Sequence, residues 1–107
     1  MANTKPQFET TDTKGTTVHY DGSVGTTPIT IPGSPGVTIS EFWIENDVHN
    51  TPVTKRLEFS CDGGVTYTEM NISEGIGWTP KGDVKQIYLK ASAAGTLYKM
   101  IINFEEY

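Results

Sequence analysis

The chain is short of cysteine, of positive charge and of long apolar runs. A single cysteine, Cys61, excludes an internal disulfide framework and any zinc site built from several thiolates. Lysine and arginine together number 8 against 13 acidic residues, giving a net charge of −5. The basic residues are scattered, so no nucleic-acid partner is expected. No apolar run approaches the length of a membrane span, and the opening MANTKPQFETTDTKG has no apolar signal core. These features point to a soluble chain made in a reducing compartment, with no membrane partner. Helical periodicity is missing as well, because 11 glycines and 6 prolines interrupt every candidate window. A length of 107 residues bounds the rest to one domain with one modest core.

What is present is β-pattern. PITI and VTISEFWIEN, residues 28–31 and 37–46, are β-branched and aromatic runs separated by the turn cluster PGSPG. Leu57, Phe59 and Cys61 alternate with Arg56, Glu58 and Ser60, and residues 65–72 read as the partner strand. EGIGWTPKGD reads as a loop carrying Trp78, and VKQIYLKAS sets Ile87, Leu89 and Ala91 on one face. The last strand, TLYKMIINFEE, puts Tyr98, Met100, Ile102 and Phe104 on one face and Leu97, Lys99, Ile101 and Asn103 on the other. The pattern predicts an all-β fold, a small antiparallel sandwich or barrel of about six to eight strands. Leu57, Phe59, Ile87, Leu89, Ile102 and Phe104 are expected in the core, with Trp43 largely buried. Residues 1–26 hold few apolar groups among threonines, glycines and charges. They read as an extended N-terminal arm anchored on another subunit or on the particle surface through Phe8, Val18 and Tyr20, ahead of a sandwich over residues 27–107.

Chemistry-bearing residues are sparse. His19 and His49 each stand near one acid, Asp21 and Asp47, without a third metal ligand at a supporting spacing. Cys61 alternates with core positions and reads as a small packing residue. Glu41 with Glu45, or Glu105 with Glu106, supply carboxylates that nothing in the pattern distinguishes as an acid and a base. Neither a cofactor site nor a metal site is expected, and the chain does not read as an enzyme. The sharpest motif is SCDGGVTY, residues 60–67. Asp62 can accept hydrogen bonds across a turn, Gly63 and Gly64 accept positive φ, and Ser60 and Thr66 flank them, all as a hairpin requires. This Ser-x-Asp-x-Gly-x-Thr-aromatic stretch resembles the Asp-box hairpin of sialidases and other glycan-active proteins. Asp boxes sit at the periphery of their folds, so the resemblance implies a structural turn.

The order TPITIPGSPGVTISEFWIEN, LEFSCDGGVTYTEM, PKGDVKQIYLKAS and GTLYKMIINFEE, spanning about residues 27–105, resembles small virion proteins of tailed bacteriophages. That resemblance implies a β-sandwich assembled in the host cytoplasm and carried in the virion. It would serve as a capsid decoration or cement protein, or as a neck or tail accessory subunit. Its partners would be other virion proteins and copies of itself, with Phe8, Val18, Tyr20 and Trp78 as candidate interface residues. The alternative is a carbohydrate- or cell-surface-binding module with a glycan as ligand. The two readings differ in their tryptophans. A glycan binder exposes Trp43 or Trp78 in a groove with polar neighbours, whereas a cement subunit buries one or both.

Overall fold

The computed structural model describes residues 15–105, which form two four-stranded antiparallel sheets, with no helix among the described residues. The strands are β1 (Gly15–Val24), β2 (Ile29–Ile31), β3 (Ile39–Asn46), β4 (Leu57–Ser60), β5 (Thr68–Met70), β6 (Gly75–Trp78), β7 (Ile87–Ala91) and β8 (Thr96–Glu105). The first sheet runs β1-β8-β3-β6 and the second β2-β7-β4-β5. The chain changes sheet at every connection but one, the β4–β5 hairpin. The two sheets are therefore stitched together along their length, and a common core lies between them.

Alternation decides what each strand buries, because successive side chains leave a strand on opposite faces. Phe42 and Ile44 of β3 and Tyr98, Met100 and Ile102 of β8 face inward from the first sheet. Leu57 and Phe59 of β4, Met70 of β5 and Ile87, Leu89 and Ala91 of β7 meet them from the second. The rings of Phe42 and Phe59 pack edge to face across the interior at 5.5 Å between centroids. Ile39 also points inward, although its spacing from Phe42 breaks the alternation. The register slips between Ile39 and Glu41, and this β-bulge lets Ile39 and Phe42 both enter the core.

The core expected from the sequence is present, with Phe104 only partly buried at its margin. Trp43 is a correction: its relative exposure is 37%, since Phe42 and Ile44 take the inward positions on either side of it. GIGW, read as part of a loop, is instead the edge strand β6, paired with β3 from Trp78 opposite Phe42 to Gly75 opposite Glu45. The expected strand over residues 65–72 contracts to β5, with Val65 exposed in the turn.

The arm expected over residues 1–26 is corrected where it is described. Residues 15–24 are β1, paired with β8 from Gly15 opposite Glu105 to Val24 opposite Thr96. An edge strand needs only one apolar face, and Val18, Tyr20 and Val24 supply it at even positions, with Gly22 between. Tyr20 packs against the core and Val24 belongs to it, and Val18 lies on the same face of β1, opposite the buried Ile102. Gly22 makes room for a neighbour, as a Cβ there would stand 3.2 Å from the Tyr98 hydroxyl. Phe8 lies outside the described residues.

At one end of the sandwich a buried amide pair joins the sheets. The Asn46 side-chain NH2 donates to the carbonyls of Met70 (3.0 Å) and Lys55 (3.1 Å), and its oxygen accepts from the Asn50 amide at 2.6 Å. Asn50 also donates to the Leu97 carbonyl (3.0 Å) and accepts from the Leu97 N–H (2.6 Å). Both amides are thereby satisfied inside the protein, the condition under which a buried polar group does not destabilise it.

Because β1 is an integral strand, a truncated protein lacking residues 1–24 is expected to unfold about 10 °C or more below the full chain, if it folds cooperatively at all. Thermal denaturation followed by circular dichroism checks this. An unchanged midpoint would restore the docking arm.

Candidate functional site

Two surfaces gather the side chains that a binding protein would use. One lies at the open side of the sandwich, around the β4–β5 hairpin. The other lies on the outer face of the first sheet.

The hairpin is built as its sequence requires. The Ser60 hydroxyl donates to the Asp62 carboxylate at 2.6 Å and accepts from the backbone N–H groups of Asp62 (3.2 Å) and Gly64 (3.0 Å). Asp62 Oδ1 accepts in turn from the Thr66 N–H at 2.9 Å, closing the loop. Gly63 and Gly64 take φ of 74° and 87°, a region that favours glycine. At Gly64 a side chain would also crowd the Tyr67 hydroxyl at 3.2 Å. Tyr67 receives the Lys90 ammonium over its ring at 4.3 Å, which fastens the turn's exit to β7.

This network draws the Asp62 carboxyl down to about 2, first through the Ser60 hydroxyl and then through the Thr66 N–H. Beside it, burial and then the Asp62 charge push the Cys61 thiol up to about 11. Cys61 is thus held as a thiol, short of the thiolate that nucleophilic chemistry needs. Trp78 stands across from the turn, its ring edge-on to Phe59 at 6.1 Å between centroids. A shallow depression of about 280 Å³ is lined by Phe59, Cys61, Asp62, Thr66, Trp78 and Lys81. Asp62 and Thr66 therefore share one surface with Trp78, whose relative exposure is 46%. Val18 and Tyr20 belong elsewhere, on the inner side of β1.

The outer face of the first sheet carries the exposed Trp43 that only the carbohydrate alternative anticipates, since the alternation expected in the core has Trp43 largely buried. In register across the strands, His19, Ile101, Trp43 and Gly77 form one row, and Asp21, Lys99, Glu45 and Gly75 form the next. The Trp43 indole rests against β6 at Gly75. A Cβ there would meet its Cζ2 at 2.8 Å and its Nε1 at 3.2 Å, so only glycine leaves the ring its place. At Gly77 nothing lies within 4 Å of where a Cβ would stand. That bare position is part of a groove of about 300 Å³ lined by Glu41, Trp43, Gly77, Thr79, Ile101 and Asn103, with Trp78 at its border. Polar groups beside the groove are already oriented. The Thr17 hydroxyl donates to Asn103 Oδ1 at 2.5 Å, and the Asn103 amide donates to Glu41 Oε2 at 2.8 Å. A second depression on the far side of the indole, about 190 Å³, is lined by His19, Asp21, Lys99 and Ile101 among others. Glu41 and Glu45 on either side of Trp43 were the sequence signal: two charged residues at the same parity mark an outward face.

The two histidines stay apart in role. His19 lies on the outer face of β1, while His49 donates its N–H to Asp47 at 2.9 Å within the connection after β3. The Asp47 carboxyl is lowered chiefly by that backbone N–H, with burial opposing it. Among the described residues no group of three or more His, Cys, Asp and Glu side chains is placed to hold a metal ion.

The Asp62 shift makes a prediction with a definite sign. A carboxyl that titrates near 3.9 when unfolded but at about 2 in the native turn favours the folded state fully above about pH 4. That contribution is lost as the pH falls towards 2. Asp62→Asn should lower the urea midpoint at pH 7 and flatten its fall between about pH 4 and pH 2. Parallel acid limbs for the two proteins would show that the carboxylate does not organise the turn.

Comparison of the chain with protein-family models, with curated proteins and with solved structures finds no match.

Proposed function

We propose that the chain is a non-enzymatic structural component of a tailed-bacteriophage particle. It acts as a capsid decoration or cement subunit, or as a neck or tail accessory one, joined by protein contacts to other virion proteins and to copies of itself. The sequence order from TPITIPG to IINFEE supports this reading, and one structural observation carries it. The Trp78 indole stands half exposed on the side of the sandwich where both sheets end in short edge strands, β5 in one and β6 in the other. Edge strands present unpaired backbone N–H and C=O groups, and a large aromatic beside them supplies an anchor for a neighbouring chain.

A carbohydrate- or cell-surface-binding module is the second reading. It is favoured by Trp43, whose indole is open to solvent among Glu41, Asn103 and Thr79. The two readings centre on opposite faces of the first sheet, with Trp78 bordering both depressions, and are compatible in one subunit.

The test follows the full chain, carrying an affinity tag, in the cells that produce it. Particles are banded on a density gradient and their proteins quantified by mass spectrometry. The chain is expected in the particle band at a fixed, multiple copy number. Trp78→Ser should fold and yet be incorporated about tenfold less, the effect of removing an interface anchor. Wild-type protein that stays wholly in the soluble fraction would contradict the proposal.

A further inference from the structure

We infer that the groove beside Trp43 binds one neutral pyranose ring of a polysaccharide, stacked on the indole over the bare backbone of Gly77 and held at its hydroxyls by Glu41 and Asn103. The inference rests on the carbohydrate reading of this face and specifies its ligand, its residues and its limits.

The first argument is the shape of the floor. Trp43 is seated against Gly75 so closely that any side chain there would displace the ring, whereas Gly77, two residues along the same strand, has nothing above it. The Gly-x-Gly spacing puts both glycines on the outer face of β6, one bedding the indole and the other leaving open the space beside it. Packing the indole requires only the first of these glycines. The result is an aromatic wall next to an uncovered strip of backbone, in a groove of about 300 Å³.

The second argument is the chemistry of the rim. A pyranose has faces of C–H groups, which suit an aromatic ring, and an equator of hydroxyls, which need directional donors and acceptors. Asn103 is locked between Thr17 and Glu41, which fixes its amide and spends one carboxylate oxygen of Glu41. The other oxygen, Oε1, and the Thr79 hydroxyl have no side-chain partner among the described residues. A carboxylate oxygen accepts strongly from a sugar hydroxyl. The rim groups are thus oriented before the ligand arrives, which lowers the ordering cost of binding.

The third argument is charge. Glu41 lines the groove, Glu45 and Asp21 lie on the same face, and the chain carries a net charge of −5. Lys99 stands in register between Asp21 and Glu45. An anionic ligand such as a uronate, a sialic acid or a phosphate would meet the Glu41 carboxylate inside the groove, so the site selects a neutral ring.

Affinity electrophoresis of the full chain in native gels tests this. The gels are cast with neutral polysaccharides (dextran, galactomannan, a mixed-linkage β-glucan) or with polygalacturonate as the acidic counterpart. At least one neutral polymer is expected to retard the wild-type protein, and polygalacturonate is not. Trp43→Ala should weaken the retardation about tenfold or more. Gly77→Val is the decisive variant. Its side chain enters open space on a strand that favours β-branched residues, so thermal stability should be kept while retardation is lost. Neutral retardation that survives both substitutions would overturn the assignment to this groove. Retardation by polygalacturonate alone would overturn the neutral ligand while keeping the carbohydrate reading. No retardation in any gel would remove both.

Discussion

Burial of the inner face of the first sheet sets the position of everything on its outer face. Phe42 and Ile44 on β3 and Met100 and Ile102 on β8 can be inside only if Trp43, Ile101, Glu41 and Asn103 are outside. A slip of one residue would exchange the two sets, exposing a row of core aliphatics and burying Glu41, so the register is strongly specified. The outer face is therefore held by the core beneath it, without needing stabilising contacts of its own. That arrangement lets an exposed indole persist on a small domain. The bulge between Ile39 and Glu41 shows how firmly the constraint acts, since the strand changes its spacing to keep Ile39 in the core.

Two polar devices close the sandwich where strands leave the sheets. At one, Asn46 and Asn50 tie the end of β3 to the Met70 and Lys55 carbonyls and to both backbone groups of Leu97. At the other, Ser60 and Asp62 organise the one connection that stays within its sheet. Each satisfies its own donors and acceptors, so each fixes geometry without leaving an unpaired buried group. Between them, Trp43 and Trp78 point to opposite faces of the first sheet, because Trp78 pairs with the inward Phe42 and Gly77 with Trp43. Two surfaces follow from that parity.

The sequence made β4, β7 and β8 plain, because Leu57/Phe59, Ile87/Leu89/Ala91 and Tyr98/Met100/Ile102 alternate without interruption. The Ser60–Thr66 turn was equally plain, because its chemistry is local. β1 was not, as its one apolar face of Val18, Tyr20 and Val24 is diluted by threonine, glycine and charge. Its long-range pairing with β8, which no local pattern reveals, is what makes it a strand of the sandwich. β6 was hidden for a related reason. Glycines weaken a strand in isolation, and the reason for Gly75 is the indole of a residue distant in sequence. Trp43 was misplaced by its size, although Glu41 and Glu45 at the same parity carried the correct signal.

Fluorescence of a protein left with Trp43 alone by Trp78→Phe tests the parity most directly. The account predicts emission shifted towards the red and readily quenched by acrylamide, as for an indole on an open sheet face. Blue-shifted emission that resists acrylamide would place Trp43 in the core and contradict the register on which both surfaces depend.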